Sequence, residues 1–366
     1  MDFLNILTAW VVAFFLVRTG VLVYNYLTWP VLQKSSCTHE ELVSVLIPAR
    51  NEEQNMGWLL EDLFYQDYKN LEILVYDDMS EDRTREVVAK HSARDARIRL
   101  LRGETLPQGW LGKNHACHQL SLEARGHFLL FLDADVRLHP AAIASAMSYL
   151  KSNQLDALSV FPTQIMKTRG ERAVVPLMLW VLLTLLPLPL VTRSRFSSLA
   201  AANGQFFLYK AHSYHTYRWH QLFRGHRVED VAIARALKKQ GLRLATLLGN
   251  RLINCRMYVG YPQALQGFAK NFPYFFGNNK GLMYVFILVS SFGWILPVIV
   301  WPWIVWVPLL LLLVLQRCFL ARLTSESCRK TWGDVFIQQA ALIHLAFYIA
   351  TLNSRGGLSW KDRKIQ

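Results

Sequence analysis

The sequence has few cysteines, and their spacing matches no paired motif. There are five in 366 residues, and no two stand at the spacing of a zinc finger or a redox pair. An odd, scattered set is also unlike the disulfide framework of a secreted domain. We therefore interpret all five as free thiols in a reducing compartment. They are Cys37, Cys117, Cys255, Cys318 and Cys328.

Acidic residues are scarce relative to basic ones. The chain has 26 Asp and Glu against 40 Lys and Arg, a formal net charge of +14. From Arg193 to Arg256 there are twelve basic residues and only two acids, Glu229 and Asp230. Such a balance could indicate nucleic-acid binding. Long apolar segments surround the stretch, however, and they favour a cytoplasmic surface beside anionic lipid headgroups. We predict a membrane partner and no nucleic acid.

Apolar residues are abundant and clustered, at 52% of the chain with a mean hydropathy of +0.18. Residues 1–30 predict an N-terminal transmembrane anchor, because Phe3–Leu27 is long enough to cross a bilayer. The segment has neither the basic leader nor the small-residue cleavage site of a signal peptide, so we expect it to be retained. Residues 282–352 predict further transmembrane helices, with a hairpin tip at Trp301–Trp303.

The basic tail, residues 353–366, conflicts with this count of membrane spans. An outside N-terminus, the anchor and three further spans would place the tail outside, against the tendency of basic segments to stay in the cytoplasm. Either one segment is re-entrant or the charge rule fails here.

Residues 40–256 read as alternating strands and helices. This pattern predicts an α/β domain with a mostly parallel sheet covered on both faces. Such sheets bind ligands at the carboxyl ends of their strands. The predicted elements are strands at Val43–Ile47, Leu71–Tyr76, Ile98–Leu101 and His127–Leu132, and helices at Glu52–Phe64, Asp82–Ala89 and Lys113–Ala124.

Residues 174–191 contain no charge and are long enough for a membrane span. Pro176, Pro187 and Pro189 argue against one regular helix. A crossing here would also separate Asp133 from Asp230 by the membrane. We therefore predict an interfacial or re-entrant segment.

Residues 257–281 have apolar side chains at helical spacing, for example Leu265, Phe268 and Phe272. We interpret them as an interfacial amphipathic helix. A helix that packs on the core would show the same stripe.

The strongest chemical motif is Phe131–Asp135. Asp133 and Asp135 stand two apart on an extended chain and project to the same side. At the end of a buried strand they can hold a divalent cation that bridges a diphosphate. An Asp-x-Asp sequence in a surface turn is the alternative.

Two further blocks follow predicted strands. Asp77 and Asp78 end the second strand, where a carboxylate can accept a hydrogen bond from the N–H of a nucleotide base. The alternative is that Ser80 or Asp82 caps the helix that follows. In the block Val45–Glu53 a strand runs into a turn and the amino end of a helix. Its backbone N–H groups and Arg50 could face the nucleotide.

These blocks together resemble the family 2 glycosyltransferases, which have the Rossmann-like nucleotide-sugar-binding fold called GT-A. The resemblance covers roughly residues 43–276. Gly109–Ala116 looks like the family's glycine-lysine block, and Arg227–Asp230 looks like its Glu-Asp motif.

The resemblance implies a set of roles. Asp77 and Asp78 would lie near uracil and ribose, Asp135 would bind Mn²⁺ or Mg²⁺, and Asp230 would be the catalytic base. The nucleotide-sugar-binding residues would be Pro48, Arg50, Glu52, Asp77, Asp78, Lys113 and Asp133, with Asp133 also at the metal. Gly204, Gln205 and Glu229 would lie on the acceptor side.

Asp230 also has a simpler interpretation. The pair Glu229-Asp230 precedes a predicted helix and would cap its amino end. The four histidines between 212 and 226 could similarly suggest zinc, but they lack paired thiols, so we favour an interfacial or acceptor-facing surface.

One family motif is missing. Membrane synthases of the family often carry Gln-x-x-Arg-Trp after the Glu-Asp pair. Here Gln221–Arg224 has the spacing, but Gly225 replaces the tryptophan and the block precedes Asp230. This argues against a processive polysaccharide synthase. The anchor and later spans look more like carotenoid or hopanoid glycosyltransferases.

We therefore predict a bacterial inner-membrane enzyme with a cytoplasmic catalytic domain. It would transfer a hexose, by default from UDP-glucose, to a lipid hydroxyl with inversion and a divalent metal. The alternatives are a polyprenyl-phosphate sugar synthase, a polysaccharide synthase, or a non-catalytic scaffold on a degenerate transferase domain.

Overall fold

The computed structural model describes residues 2–37, 41–355, 359–360 and 363–364. Half of the predicted basic tail, 353–366, lies outside the described residues. The elements up to residue 256 are α1 (Phe3–Thr28), β1 (Val43–Ala49), α2 (Glu53–Phe64), β2 (Leu71–Asp77), α3 (Thr84–Ser92), β3 (Ile98–Arg102), α4 (Gly112–Glu123), β4 (Phe128–Leu132), β5 (Val136–Leu138), α5 (Ala142–Ser152), β6 (Ala157–Phe161), β7 (Thr163–Gln164), α6 (Arg169–Val174), α7 (Pro176–Leu185), α8 (Pro189–Arg193), β8 (Phe206–Lys210), α9 (Ala211–Tyr217), α10 (Trp219–Leu222), α11 (Glu229–Lys239), β9 (Leu244–Leu248) and β10 (Ile253–Cys255).

A seven-stranded sheet forms the centre of this region, in the order β3-β2-β1-β4-β8-β6-β9. Its strands are parallel except β8, which runs antiparallel to both β4 and β6. All five residues of β4 are buried, as expected for a strand covered on both faces. The predicted α/β fold with a mostly parallel sheet is confirmed.

The reversal of β8 matters for the location of the site. Because β8 is antiparallel, its amino end lies at the same edge as the carboxyl ends of β1, β2 and β4. The register pairs Leu132 with Phe206, so the residues before β8 meet the residues after β4. A second, three-stranded sheet, β5-β10-β7, continues from that edge.

The two faces of the sheet have separate cores. One core contains the apolar sides of α2, α3 and α5, for example Leu59 and Met147. The other contains α4 and α11 and continues without interruption into the apolar helices, from Leu120 to Leu22 and Met283. The catalytic domain and the helical region are thus joined by shared hydrophobic packing.

The remaining helices are α12 (Gly260–Asn271), a 3₁₀ turn (Phe272–Phe276), α13 (Lys280–Phe292), α14 (Ile295–Val300), α15 (Trp303–Leu323) and α16 (Cys328–Arg355). Among the described residues, three helices are long and apolar enough to cross a membrane: Phe3–Thr28, Trp303–Leu323 and Thr331–Thr351. α13 is apolar but has only 13 residues. The helical structure is interrupted between α14 and α15, at the predicted Trp301–Trp303 tip.

Residues 174–191 do not form one long helix. α7 has 10 residues, about 15 Å, and this is too short for a bilayer core of about 30 Å. The break after α7 frees backbone groups that lipid would leave unsatisfied. Asn25 of α1 binds them: its Nδ2 donates to the carbonyls of Leu183 (2.8 Å) and Leu186 (2.9 Å), and its Oδ1 accepts from Leu188 N–H (2.8 Å).

The apolar stripe of residues 257–281 is covered by protein. Leu265, Phe268 and Phe272 are buried, and α12 packs against α6 and α16. This is the pattern of a core-packing helix. A position at the membrane surface stays a prediction.

Candidate active site

The metal motif lies where β4 ends. Asp133 N–H donates to the carbonyl of Gln205 (3.1 Å), which fixes the motif beside the residues preceding β8. The Asp135 carboxylate lies 3.4 Å from Gln205 Nε2. Burial, together with the charges of Asp133 and Glu52, raises the pKa of Asp135 to about 6. The motif is therefore a cluster of carboxylates whose mutual repulsion a cation would relieve.

Lys113 is the cation in this cluster. It lies in the first turn of α4, and its Nζ is 2.7 Å and 2.8 Å from the two oxygens of Asp133 and 3.8 Å from Glu229 Oε1. Burial alone would lower the pKa of Lys113, but the attraction of Asp133 and Glu229 outweighs it and raises that pKa above its ordinary value. Lys113 thus stays charged and joins the metal motif to the Glu-Asp motif.

Asp230 and Glu229 occupy the first turn of α11. Asp230 Oδ2 accepts from Gly204 N–H (3.0 Å), and Oδ1 accepts from Val231 N–H (2.8 Å). The second bond satisfies a free backbone N–H group in the first turn of α11, so Asp230 also stabilises the start of this helix. The first bond crosses to the β8 side and holds the carboxylate at the site. Burial raises the pKa of Asp230, and it raises that of Glu229 to about 7.

Gly204 allows these groups to converge. A Cβ at this position would lie 3.3 Å from Lys113 Nζ and 3.4 Å from Glu229 Oε1, tighter than most real contacts. The acids and the lysine border one small cavity. It is lined by Pro48, Lys113, Cys117, Phe131, Asp133, Gly204, Phe207, Tyr209, His220, Glu229, Asp230 and Ile233.

The carboxyl end of β2 is held by its own network. Asp77 is fully buried; its carboxylate pairs with Arg85 and also accepts from Ser80 N–H (3.2 Å). Asp78 N–H donates to the carbonyl of Ala49 (2.8 Å), which ties the loop to β1. Gly103 is required beside it, because a Cβ there would lie 2.5 Å from the Asp77 carbonyl oxygen.

Arg50 braces this loop. It is buried, and its Nη1 donates to the carbonyls of Asp78 (2.7 Å) and Met79 (3.2 Å). We expected it to face the nucleotide; the structure engages it with the loop that carries Asp78, and contact with a nucleotide stays a prediction. The resemblance places Glu52 among the nucleotide-sugar-binding residues. In the structure its charge acts on Asp135, at the metal side, and contact with a nucleotide stays a prediction.

Sequence reasoning missed several residues near the site. Cys117 follows Lys113 by one helical turn, so the spacing could have placed it on the same face. Tyr209 and His220 lie deeper; His220 Nδ1 is 2.7 Å from Tyr214 Oη, and burial lowers its pKa to about 3. Cys255, 2.9 Å from Gln205 Nε2, reaches the site only because β10 pairs with β5, which no local pattern shows.

The histidine run does not gather at one point. His220 packs on Phe131, and His226 packs on Phe223. Within the described residues, no three His, Cys, Asp or Glu side chains are arranged to hold a metal by themselves. A cation at Asp133 and Asp135 would therefore take further oxygens from its ligand or from water.

Residues 44–218 match the model of the family described as "Glycosyl transferase family 2". This chain is a glycosyltransferase, and its match to family 2 covers 175 of its 366 residues, just under half. The matched residues include β1, β2, β4 and the metal motif but end before Glu229 and Asp230. The predicted enzyme class is confirmed.

Relatives and a solved structure extend the similarity. The chain is 26% identical over 259 residues to a 4,4'-diaponeurosporenoate glycosyltransferase of Staphylococcus haemolyticus, covering 69% of this chain and 67% of the relative. The same-named enzyme of Staphylococcus aureus (strain USA300) is 27% identical over 285 residues, covering 75% and 72%. The fold is similar to that of the mannosyltransferase PcManGT from Pyrobaculum calidifontis, solved with GDP-Man and Mn²⁺, with a TM-score of 0.51 at 18% identity over 94% of this chain and 99% of that one.

Proposed function

We propose that this glycosyltransferase moves a hexose, with inversion, from a nucleotide sugar to a hydroxyl of a membrane lipid. One observation carries the proposal: Asp230, Lys113 and Asp133 border the same cavity, although they come from distant parts of the chain, and Asp135 lies close enough for the charges of Asp133 and Lys113 to act on it. The core beneath this cavity is continuous with the apolar helices. This arrangement supports a site at which donor chemistry and a membrane acceptor meet.

The donor side fits a divalent cation and a diphosphate. Asp135 and Asp133 would hold Mn²⁺ or Mg²⁺, because burial and the neighbouring charges of Asp133 and Glu52 raise the pKa of Asp135 to about 6, and a cation would offset both effects. When bound, the metal would neutralise charge on the departing diphosphate, an effect typically worth several kcal/mol. Lys113 contributes a second positive charge. UDP-glucose is the expected donor from the family resemblance.

The acceptor side fits a neutral hydroxyl. Asp230 is held by Gly204 N–H, and burial raises its pKa, which makes it a stronger proton acceptor. It would take the proton as the hydroxyl oxygen attacks the anomeric carbon. A polyprenyl phosphate is already an anion and needs no base, so the buried carboxylate favours the hydroxyl. The Staphylococcus relatives are named for a carotenoid acceptor, and this supports a carotenoid-like lipid here.

The decisive experiment combines lipids and kinetics. Mass spectrometry of lipids from cells with and without the gene should show a hexosylated lipid only in its presence. Purified Asp230→Asn should lose about 10²–10⁴ in kcat/KM. Wild-type kcat/KM should rise with pH through the raised pKa of Asp230, and the variant should lose that dependence.

Exposed Glu123→Gln on α4 provides the control and should keep wild-type rates. Nearly full turnover by Asp230→Asn would favour the polyprenyl-phosphate alternative. No new glycolipid and no turnover with a panel of donors would favour the scaffold alternative.

The orientation can be tested on the segment that connects the two motifs. If both acids share a cytoplasmic site, then both ends of residues 174–191 face the cytoplasm. Single cysteines at Lys167 and Ser194, in a cysteine-free background, should react only with reagent supplied from the cytoplasmic side. Thr168 is avoided because its hydroxyl accepts from Glu171 N–H (3.2 Å) and caps α6. Labelling of the two positions from opposite sides would contradict a shared site.

A further inference from the structure

Two arginines lie buried among the apolar helices, far from the catalytic acids in sequence. Arg18 of α1 is 2% exposed, and Arg317 of α15 is 4% exposed. Both guanidinium carbons lie over the ring of Trp180 in α7, at 4.3 Å and 4.1 Å from its centroid. The rings of Phe14 and Phe286 also enclose Arg18. Two like charges are therefore held close together away from water.

The hydrogen-bond partners of Arg18 are neutral, and the acid Glu326, whose charge acts on Arg317, forms no ion pair with it among the residues that the structure describes. Arg18 donates to the hydroxyls of Thr184 (2.8 Å from Nη2) and Ser290 (3.0 Å from Nη1). Arg317 Nη1 is buried and has no hydrogen-bond partner among the residues that the structure describes. Across that same part of the chain, neither guanidinium forms an ion pair with a carboxylate. Charges in such a setting ordinarily pair with an opposite charge or mark a ligand site.

We propose that Arg18 and Arg317 together bind an oxyanion carried by a membrane lipid, a phosphate or a carboxylate. Guanidinium groups suit both because they donate two parallel hydrogen bonds. A lipid-borne ligand suits this position, because the cluster lies between helices apolar enough to cross a membrane. The aromatic rings around it would contact the lipid's apolar part.

The location gives the site a consequence for the enzyme. Trp180 and Thr184 belong to α7, within the segment that connects the metal motif to the Glu-Asp motif. A lipid anion bound here would neutralise the repulsion between α1 and α15 and fix α7 between them. The inference does not depend on the acceptor or donor proposed above, because binding can be measured without any sugar transfer.

The test uses the full-length protein in detergent without donor. Native mass spectrometry and thermal unfolding should be measured with phosphatidylglycerol and, separately, phosphatidylcholine. We expect wild type to retain the anionic lipid about tenfold more strongly and to gain melting temperature only with it. Arg18→Met and Arg317→Met should each remove most of that preference, whereas Arg317→Lys should keep part of it. Arg322→Met, on exposed α15 surface, is the matched control.

Equal binding of both lipids by wild type would overturn the proposal, even if the Met variants fail to fold. Unchanged preference in folded Arg18→Met and Arg317→Met would do so as well. A second experiment, in a phosphatidylcholine background, distinguishes an acceptor-like lipid from a structural phospholipid as the bound ligand. Displacement of bound phosphatidylglycerol by a polyprenyl phosphate or an apolar long-chain carboxylate would identify an acceptor-like lipid. Failure of both to displace it would identify a structural phospholipid.

Discussion

The two buried polar clusters of this protein solve the same physical problem differently. Around Lys113, one cation contacts Asp133 within hydrogen-bonding distance and lies 3.8 Å from Glu229. Around Trp180, Arg18 and Arg317 meet hydroxyls and aromatic rings. The first arrangement keeps the lysine charged beside several acids at the candidate site. The second tolerates charge only while tight packing encloses it, and it leaves capacity for an anion.

The largest effect should come from breaking the first cluster. Asp135→Ala removes a carboxylate from the metal motif and leaves the charge of the diphosphate uncompensated. We expect transfer to fall below detection while the thermal unfolding midpoint stays near that of wild type. Turnover should be measured for both proteins with Mn²⁺ and with excess chelator. Full activity of the variant, or of wild type in chelator, would remove the metal from the proposal.

The next largest effect should come from a change at Asn25. Like Lys113, Asn25 connects separate segments of the chain, but it does so through neutral hydrogen bonds. Asn25→Leu leaves two carbonyls and the Leu188 N–H of the broken segment without their bonds. We expect a loss of about 3 kcal/mol or more in the free energy of unfolding, since three buried groups lose their bonds and each costs about 1–3 kcal/mol. Denaturant or thermal unfolding in detergent measures it. Tyr24→Phe, one position earlier on α1, should change stability little; an equal loss in both variants would mean that α1 responds to any substitution.

The smallest effect should be on the pH dependence of stability. Burial raises the pKa of Glu229 to about 7 from its ordinary value of 4.5, so the folded state holds its proton more tightly than the unfolded chain. That contribution to stability is fully present below about pH 4.5 and is lost as pH rises through 7. Glu229→Gln, which cannot ionise, should therefore gain stability relative to wild type between pH 5 and pH 8, by about 1 kcal/mol or more.

Melting temperatures of the two proteins at both pH values provide the check. A difference that does not change with pH would mean that Lys113 holds Glu229 ionised throughout.

Local patterns predicted the strands that end at Ala49, Asp77 and Leu132, because buried parallel strands read as continuous β-branched and apolar runs. They also singled out Asp133 and Asp135, as a carboxylate pair after a buried strand, and Asp230, as one of two acids in a basic stretch; the roles of these three residues stay predictions. The order of the sheet was not predictable in the same way. β8 inserts between β4 and β6 from about 75 residues downstream of β4, and a pairing of that separation leaves no mark in either strand.

The roles of polar residues inside apolar segments were the hardest to predict from the sequence. Asn25 and Arg18 stood out only as polar exceptions in the predicted anchor. A long basic side chain in such a helix ordinarily extends toward the membrane surface, but Arg18 is buried against Trp180. Its partners lie in other helices, so only the tertiary packing of α1 with α7 and α13 could reveal them.

The partners of α1 also set an order of events during synthesis. Thr184 follows Arg18 by 166 residues and Ser290 follows it by 272. At the ordinary elongation rate of about 5–20 residues per second, the anchor leaves the ribosome roughly ten to thirty seconds before its first partner exists. During that interval Arg18 and Asn25 must be sheltered by water, headgroups or the insertion machinery. A chain truncated before α13 lacks Ser290. The anchor and catalytic domain alone would therefore leave polar side chains of α1 exposed to lipid.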